Sequence, residues 1–124
     1  MKKERPVNLN LFTIRFPVPA ISSILHRISG VLLFLFIPFV LYVLEYSLAS
    51  AAKFQNLQPV FDNRFFKFIV WMFLASLIYH FIAGVRHLLM DIGFGENLKC
   101  ARASAYTAII LSAIVMVLVG VWLW

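Results

Sequence analysis

Three long stretches of apolar residues alternate with short polar segments along the chain. Each stretch can form a helix of about 20 residues, the length needed to cross a hydrocarbon layer roughly 30 Å thick. Continuous apolar runs favour helices, whereas strands of a membrane barrel alternate apolar and polar residues over about 10 positions. The pattern therefore predicts an all-α membrane protein with transmembrane helices at about 23–50, 65–91 and 103–124.

The residues before the first apolar stretch predict a different kind of structure. Pro17 and Pro19 lie just ahead of it, and proline disfavours continuation of a helix. We therefore expect residues 1–22 to form an irregular arm at the cytoplasmic membrane surface. The three-helix transmembrane domain then occupies residues 23–124.

Composition and charge agree with a membrane chain and predict its orientation. Of the 124 residues, 63% are hydrophobic, only 13% are charged and thirteen are phenylalanine, outside the usual balance of a soluble domain. Basic residues concentrate on cytoplasmic flanks, which places the amino terminus and the second loop in the cytoplasm and Trp124 on the periplasmic side. The net charge of +6 then reflects the orientation of the chain in the membrane, with some attraction to anionic lipid. It does not indicate nucleic-acid binding. The basic residues on the cytoplasmic side are Lys2, Lys3, Arg5, Arg15, Arg27, Arg86, Lys99 and Arg102, against Lys53, Arg64 and Lys67 on the other.

A cleaved signal peptide is an alternative interpretation of the first apolar stretch, because Ala49-Ser50-Ala51 resembles a cleavage site. The long preceding region and the sequence PVPAISSILHR argue against it. Cys100 cannot form an internal disulfide, and the chain has no CxxCH motif for covalent haem attachment.

The second apolar stretch contains ionisable residues that need a partner. Such groups are costly within a membrane and usually face a cofactor, another chain or water. His80 and Gly84 are four residues apart and His87 is seven from His80, so they form one stripe on a helix. Imidazole is a strong iron ligand, and glycine permits close approach of a flat porphyrin. The alternative is a histidine that only makes an interhelical hydrogen bond.

Ser23, His26 and Arg27 can share one broad face at the start of the first helix. A hydroxyl and a guanidinium together could hold a ligand that bears a carbonyl or carboxylate group at the membrane boundary. Gly30 leaves room beside Arg27. The alternative is that Ser22 or Ser23 caps the helix while Arg27 extends to lipid phosphates.

The depths of the histidines bear on what each could bind. Eleven residues separate His80 from Asp91, which is about 16 Å of helix and places His80 near mid-membrane. His26 is expected close to the surface, so the two histidines would not bracket one iron and a second axial ligand should come from another chain. We expect Arg86 and Asp91 to pair with each other or to meet water.

Two segments resemble the signatures of a known family. RPVNLNLFTIRFP followed by SSILHRISG, and HFIAGVRHLLMDIG farther along, resemble those of the cytochrome b subunits that anchor bacterial succinate dehydrogenase, the larger of its two membrane subunits. The resemblance covers essentially the whole chain. It implies that Ser23 and Arg27 contact ubiquinone and that His80 is one axial ligand of a haem b shared with the smaller anchor subunit. It also implies that His26 and Arg27 approach the haem propionates, with His87 a further candidate.

The resemblance also implies partners and a location. A flavoprotein subunit would oxidise succinate, and an iron–sulfur subunit would pass electrons to the quinone-reduction site that this chain helps to form in the bacterial inner membrane. The chain itself would contribute no catalytic residue for succinate. Two alternatives stay open: the anchor of a fumarate reductase, and a purely structural membrane subunit without haem.

Overall fold

Four helices make up most of the computed structural model, which describes Asn10 and residues 12–124. They are α1 (Val18–Ala49), α2 (Ala51–Asp62), α3 (Arg64–Asp91) and α4 (Leu98–Leu123). The helices α1, α3 and α4 are each long and apolar enough to cross a membrane. The prediction of an all-α membrane protein with three spans is therefore confirmed.

The first helix begins five residues earlier than predicted. Pro17 occupies the position before the helix and Pro19 lies in its first turn. Proline is tolerated there because the first N–H groups of a helix have no intrahelical partner. An irregular arm reaching residue 22 is thus wrong for Val18–Ser22, and Ser22 and Ser23 lie inside α1 rather than capping it. Residues 1–9 and Leu11 of the expected arm lie outside the described residues.

The helix α2 is an element that the apolar pattern did not predict, because its 12 residues include many polar side chains. Ser50 separates it from α1 in an extended conformation and accepts a hydrogen bond from the Lys53 backbone N–H at 3.1 Å. Asn63 caps α3 in the same way, accepting from the Phe65 N–H at 2.9 Å. Side-chain caps therefore set both helix starts.

The last helix also begins five residues before its predicted position. Asn97 accepts a hydrogen bond from the Cys100 N–H at 2.8 Å and caps α4. The first turns of α4 carry Lys99 and Arg102, whose charges excluded them from the apolar stretch. A cap signal was therefore a better guide to this boundary than hydropathy.

The long helices pack with α3 between α1 and α4, and α3 runs antiparallel to both. Phe36 of α1 packs edge-on against Phe73 of α3, with ring centroids 5.5 Å apart. Small residues fill the contact between α3 and α4, which is typical of membrane helices that approach closely. The start of α1, the end of α3 and the start of α4 thus lie together, and we refer to this as the amino-terminal end of the bundle. The small buried residues are Ala83, Ala101, Ala105 and Ala108.

Arg86 joins α3 to α4 near the amino-terminal end of the bundle. Its side chain is buried, and it donates hydrogen bonds from Nε to the Ser104 hydroxyl at 2.9 Å and from Nη2 to the Ala101 carbonyl at 3.1 Å. The expectation that Arg86 pairs with Asp91 or meets water is therefore wrong within the part of the chain that the structure describes. The packing of α4 against α3 places two acceptors directly opposite the guanidinium.

We predict that Arg86→Lys destabilises the bundle, because an ammonium cannot reproduce the two bonds made by the planar guanidinium. The loss should be about 1.5–3 kcal/mol, the usual range for hydrogen bonds to charged groups. Thermal denaturation of the purified protein in detergent measures it. Arg102→Lys is the matched control, because Arg102 is exposed on α4. Equal stability of the two variants would contradict the prediction.

Candidate functional site

The three histidines of the chain cluster between α1 and α3. The rings of His26 and His80 are stacked, with centroids 4.2 Å apart and planes 13° from parallel. The ring of His87 lies 5.1 Å from that of His26 and is tilted by 51° to it. Among the described residues, however, no three His, Cys, Asp or Glu side chains converge to hold a metal ion.

This cluster corrects the expected separation in depth between His26 and His80. Because α1 begins at Val18, His26 lies roughly two turns inside the helix rather than at its surface end. The two histidines still cannot bracket one iron, but for a different reason. Stacked rings present their nitrogen atoms edgewise, so they cannot direct lone pairs at one metal from opposite sides.

Two glycines allow the imidazole rings to enter the space between the helices. A Cβ at Gly30 would lie 3.1 Å from His80 Cε1, and one at Gly84 would lie 3.3 Å from His26 Nε2. Each glycine therefore accommodates a ring from the opposite helix. In this structure an imidazole lies beside each glycine, and the expectations that Gly84 admits a porphyrin and that Gly30 leaves room beside Arg27 stay predictions.

The His80 ring is held through one of its two nitrogen atoms. Nδ1 lies 3.1 Å from the Ser29 hydroxyl and 3.2 Å from the His26 carbonyl oxygen. Ser29 in turn donates a hydrogen bond to that same carbonyl at 2.7 Å. Since both contacts involve Nδ1, Nε2 is the nitrogen that His80 can offer to a ligand.

An apolar groove of about 450 Å³ adjoins His80 between α1 and α3. Its size and lining are typical of a site that receives a large apolar molecule. His80 is the ionisable residue among those that line it. The other lining residues are Gly30, Leu33, Phe34, Ile37, Val40, Leu41, Phe73 and Leu77.

Ser23 and Arg27 lie one turn apart on α1, as their spacing predicts. Ser23 is half-buried and Arg27 is exposed, so both side chains remain accessible at the amino-terminal end of the bundle. Neither is in the histidine cluster, although Arg27 is within electrostatic reach of His87. The structure thus places a hydroxyl and a guanidinium beside the histidines rather than among them.

Sequence reasoning missed the contacts by which three polar residues join α1 to α3 at this site. The Tyr79 hydroxyl donates to the Ser22 carbonyl at 3.1 Å and lies 3.2 Å from its hydroxyl, and both residues are buried. Ser29, the third, lies seven residues after Ser22. That spacing, two helical turns, was the signal that both serines face the same neighbour.

His87 contributes the one buried side-chain nitrogen or oxygen without a hydrogen-bond partner in the described part of the chain. The atom is Nε2. Buried polar atoms are nearly always paired, so an exception of this kind indicates a ligand, an ion or a water molecule. The His26 ring lies 5.1 Å from the ring of His87, and the charges of Arg86, Asp91 and Arg27 act on it electrostatically.

Comparison with known proteins shows which family the chain belongs to. A model of the succinate dehydrogenase/fumarate reductase transmembrane subunit family matches residues 1–119. The chain belongs to this family. It is 47% identical, over the full length of both chains, to the succinate dehydrogenase cytochrome b556 subunit of Coxiella burnetii. The protein of the same name from Paracoccus denitrificans is 32% identical over 92% of this chain and 88% of its own. That of Rickettsia prowazekii is 29% identical over 95% and 92%.

Membership of the succinate dehydrogenase/fumarate reductase transmembrane subunit family confirms the resemblance found in the sequence. It also agrees with three helices that can each cross a membrane. The chain is therefore a multi-pass membrane subunit of this family, and the histidine cluster, the apolar groove and the pair Ser23 and Arg27 are its candidate sites.

We predict that Tyr79→Phe lowers the stability of the bundle by about 1 kcal/mol, because it leaves the buried Ser22 hydroxyl without its partner while keeping the apolar ring. Thermal denaturation in detergent measures the change. Tyr106→Phe is the control, since Tyr106 is 53% exposed and should tolerate loss of its hydroxyl. Unchanged stability of Tyr79→Phe would contradict the structural role assigned to this bond.

Proposed function

We propose that this chain is the cytochrome b membrane anchor of a bacterial succinate dehydrogenase, and that it helps to bind haem b and ubiquinone. The observation that carries the proposal is the arrangement of His80. Its Nδ1 is engaged by α1, its Nε2 is available, and an apolar groove adjoins it. The relatives named as cytochrome b556 subunits support the choice of haem b.

The residues present fit a haem group. His80 would supply one axial ligand through Nε2, since a neutral imidazole is a common ligand of haem iron. The unpaired Nε2 of His87 and the exposed Arg27 guanidinium suit the carboxylates of the propionates, with His26 beside them. When bound, haem supplies a site that stores one electron. The second axial ligand would come from the smaller anchor subunit, because neither other histidine here opposes His80.

Ser23 and Arg27 would bind the head of ubiquinone at the amino-terminal end of the bundle. Both can donate hydrogen bonds to a carbonyl oxygen, and Arg27 remains charged in poor solvent. Negative charge develops on that oxygen as electrons arrive from the iron–sulfur subunit. Donors already in place favour the reduced form of the ring, and protons can enter from the adjacent aqueous side.

The orientation and the partners follow from the same arrangement. The distribution of basic residues supports an orientation with the amino-terminal end of the bundle in the cytoplasm and Trp124 in the periplasm. The flavoprotein and iron–sulfur subunits would therefore dock at that end, where succinate is oxidised outside this chain. The exposed apolar faces of the bundle would contact inner-membrane lipid and the smaller anchor subunit.

A fumarate reductase anchor is a second candidate, because the matching family includes subunits of both enzymes. Contacts to the quinone ring do not set the direction of the reaction. The reduction potential of the native quinone distinguishes the two: a high-potential ubiquinone supports succinate oxidation, and a low-potential quinone supports fumarate reduction.

We predict that His80→Ala removes most of the low-spin b-type haem from the purified complex while membrane insertion is unchanged. Insertion depends on the three apolar helices rather than on one ligand. A reduced-minus-oxidised optical spectrum measures haem content. His87→Ala, two turns away on the same helix, should retain iron ligation. Wild-type haem content in His80→Ala, or an absence of haem from the native complex, would exclude the proposed ligand.

We predict that Arg27→Ala and Ser23→Ala each slow quinone reduction by about tenfold or more, as expected when one hydrogen bond to a developing charge is lost. Succinate oxidation coupled to a soluble dye should be nearly unchanged, because it bypasses the quinone site. Arg102→Ala removes an exposed cation near the same end and serves as the control. Equal losses in the quinone and dye assays would indicate disrupted assembly and contradict the assignment.

A further inference from the structure

Three polar atoms surround one edge of the His80 ring at the contact between α1 and α3. They are the Nδ1 of His80, the hydroxyl of Ser29 and the backbone carbonyl of His26. Their separations are 2.7 Å from hydroxyl to carbonyl, 3.1 Å from hydroxyl to Nδ1, and 3.2 Å from carbonyl to Nδ1. Ser29 is 5% exposed, so water does not compete freely for these bonds.

The positions of the hydrogen atoms in this triangle follow from what each group can donate. The Ser29 hydroxyl has one hydrogen, and its shortest contact commits that hydrogen to the His26 carbonyl. Toward Nδ1, both the hydroxyl oxygen and the carbonyl oxygen then present only lone pairs. Nδ1 must therefore carry the ring proton, since a bare nitrogen would face two acceptors with no hydrogen between them.

We infer that the Ser29 hydroxyl fixes His80 in the Nδ1-protonated form and lowers the reduction potential of the haem that His80 holds. The inference rests on the proposed function, in which Nε2 is the axial ligand. A proton on Nδ1 leaves the lone pair on Nε2, as ligation requires. An acceptor that draws on the Nδ1–H also makes Nε2 a stronger electron donor, which stabilises ferric over ferrous iron.

The backbone enforces this contact. Gly30 follows Ser29 directly, and a Cβ there would lie 3.1 Å from His80 Cε1 and 3.4 Å from Nδ1. Without that Cβ, the imidazole approaches α1 closely enough to reach the Ser29 hydroxyl. Stacking against His26 also restrains one face of the ring. Ser29 is therefore a positioning residue that acts through His80 and does not itself touch the iron.

The test is a redox titration of the haem absorption band in the purified complex carrying Ser29→Ala. We expect the midpoint potential to rise, so that the ratio of reduced to oxidised haem at a fixed ambient potential increases about threefold to tenfold. For a one-electron couple this is about 30–60 mV. The change is partial because the His26 carbonyl still accepts from Nδ1. Ser29→Thr retains the hydroxyl and should keep the wild-type potential.

Ser76→Ala is the matched control. Ser76 is also buried on the facing helix, and its hydroxyl donates to the Met72 carbonyl at 2.9 Å instead of contacting His80. It therefore reports the general effect of removing a buried hydroxyl from this bundle. Its potential should equal that of the wild type.

The outcomes separate this inference from the proposed function. Haem that depends on His80 but has the same potential in Ser29→Ala as in Ser76→Ala would overturn the role of Ser29 alone, as would a lowered potential or an equal shift in Ser29→Thr. Loss of haem from Ser29→Ala, with retention in Ser29→Thr and Ser76→Ala, would support it. Loss of haem from all three serine variants would overturn it. Haem that is indifferent to His80→Ala would overturn both proposals.

Discussion

The close approach of α1 and α3 at Gly30 and Gly84 is the constraint on which the rest of the candidate site depends. Each glycine admits an imidazole from the opposite helix, and the two rings then stack on one another. A methyl group at either position would lie 3.1–3.3 Å from a ring atom, so the ring or its helix would have to shift by a few tenths of an ångström. The same approach brings the Ser29 hydroxyl and a backbone carbonyl to the edge of the His80 ring. Helix packing and imidazole chemistry are therefore set together.

The same kind of hydrogen bond joins the helix α3 to both of its neighbours. Four of its polar side chains each bond to a backbone carbonyl on α1 or α4. A helix carbonyl that already accepts its own intrahelical bond has a second lone pair, so it can satisfy a buried donor where water is absent. Each such bond adds only about 0.6 kcal/mol on average, but together they fix how α3 is rotated between its neighbours. The donors and acceptors are Trp71 to Met116, Tyr79 to Ser22, His80 to His26 and Arg86 to Ala101.

Much of this architecture could be predicted from the sequence, for reasons that also explain the errors. Apolar runs require spanning helices, so the number of spans and the presence of ionisable groups on α3 could be predicted. The helix starts at Val18 and Leu98 lie in segments with proline or charge, where capping and first-turn tolerance decide the boundary. The predicted depth of His26 was wrong because it assumed that α1 begins at Ser23 rather than at Val18. The partners of Gly30 and Gly84 depend on which helix faces which, and spacing within one helix does not contain that information.

Within the described part of the chain, some ring nitrogen atoms of the histidine cluster are hydrogen-bonded and others are not. Toward α1, the His80 ring is stacked on one face and bonded at Nδ1. The polar contacts of His80 involve Nδ1 rather than Nε2, and the buried Nε2 of His87 lacks a hydrogen-bond partner in the described residues. A buried polar atom without a hydrogen bond costs about 1–3 kcal/mol, so it persists where another group supplies the bond. In the proposed function, haem would give these two nitrogen atoms their partners.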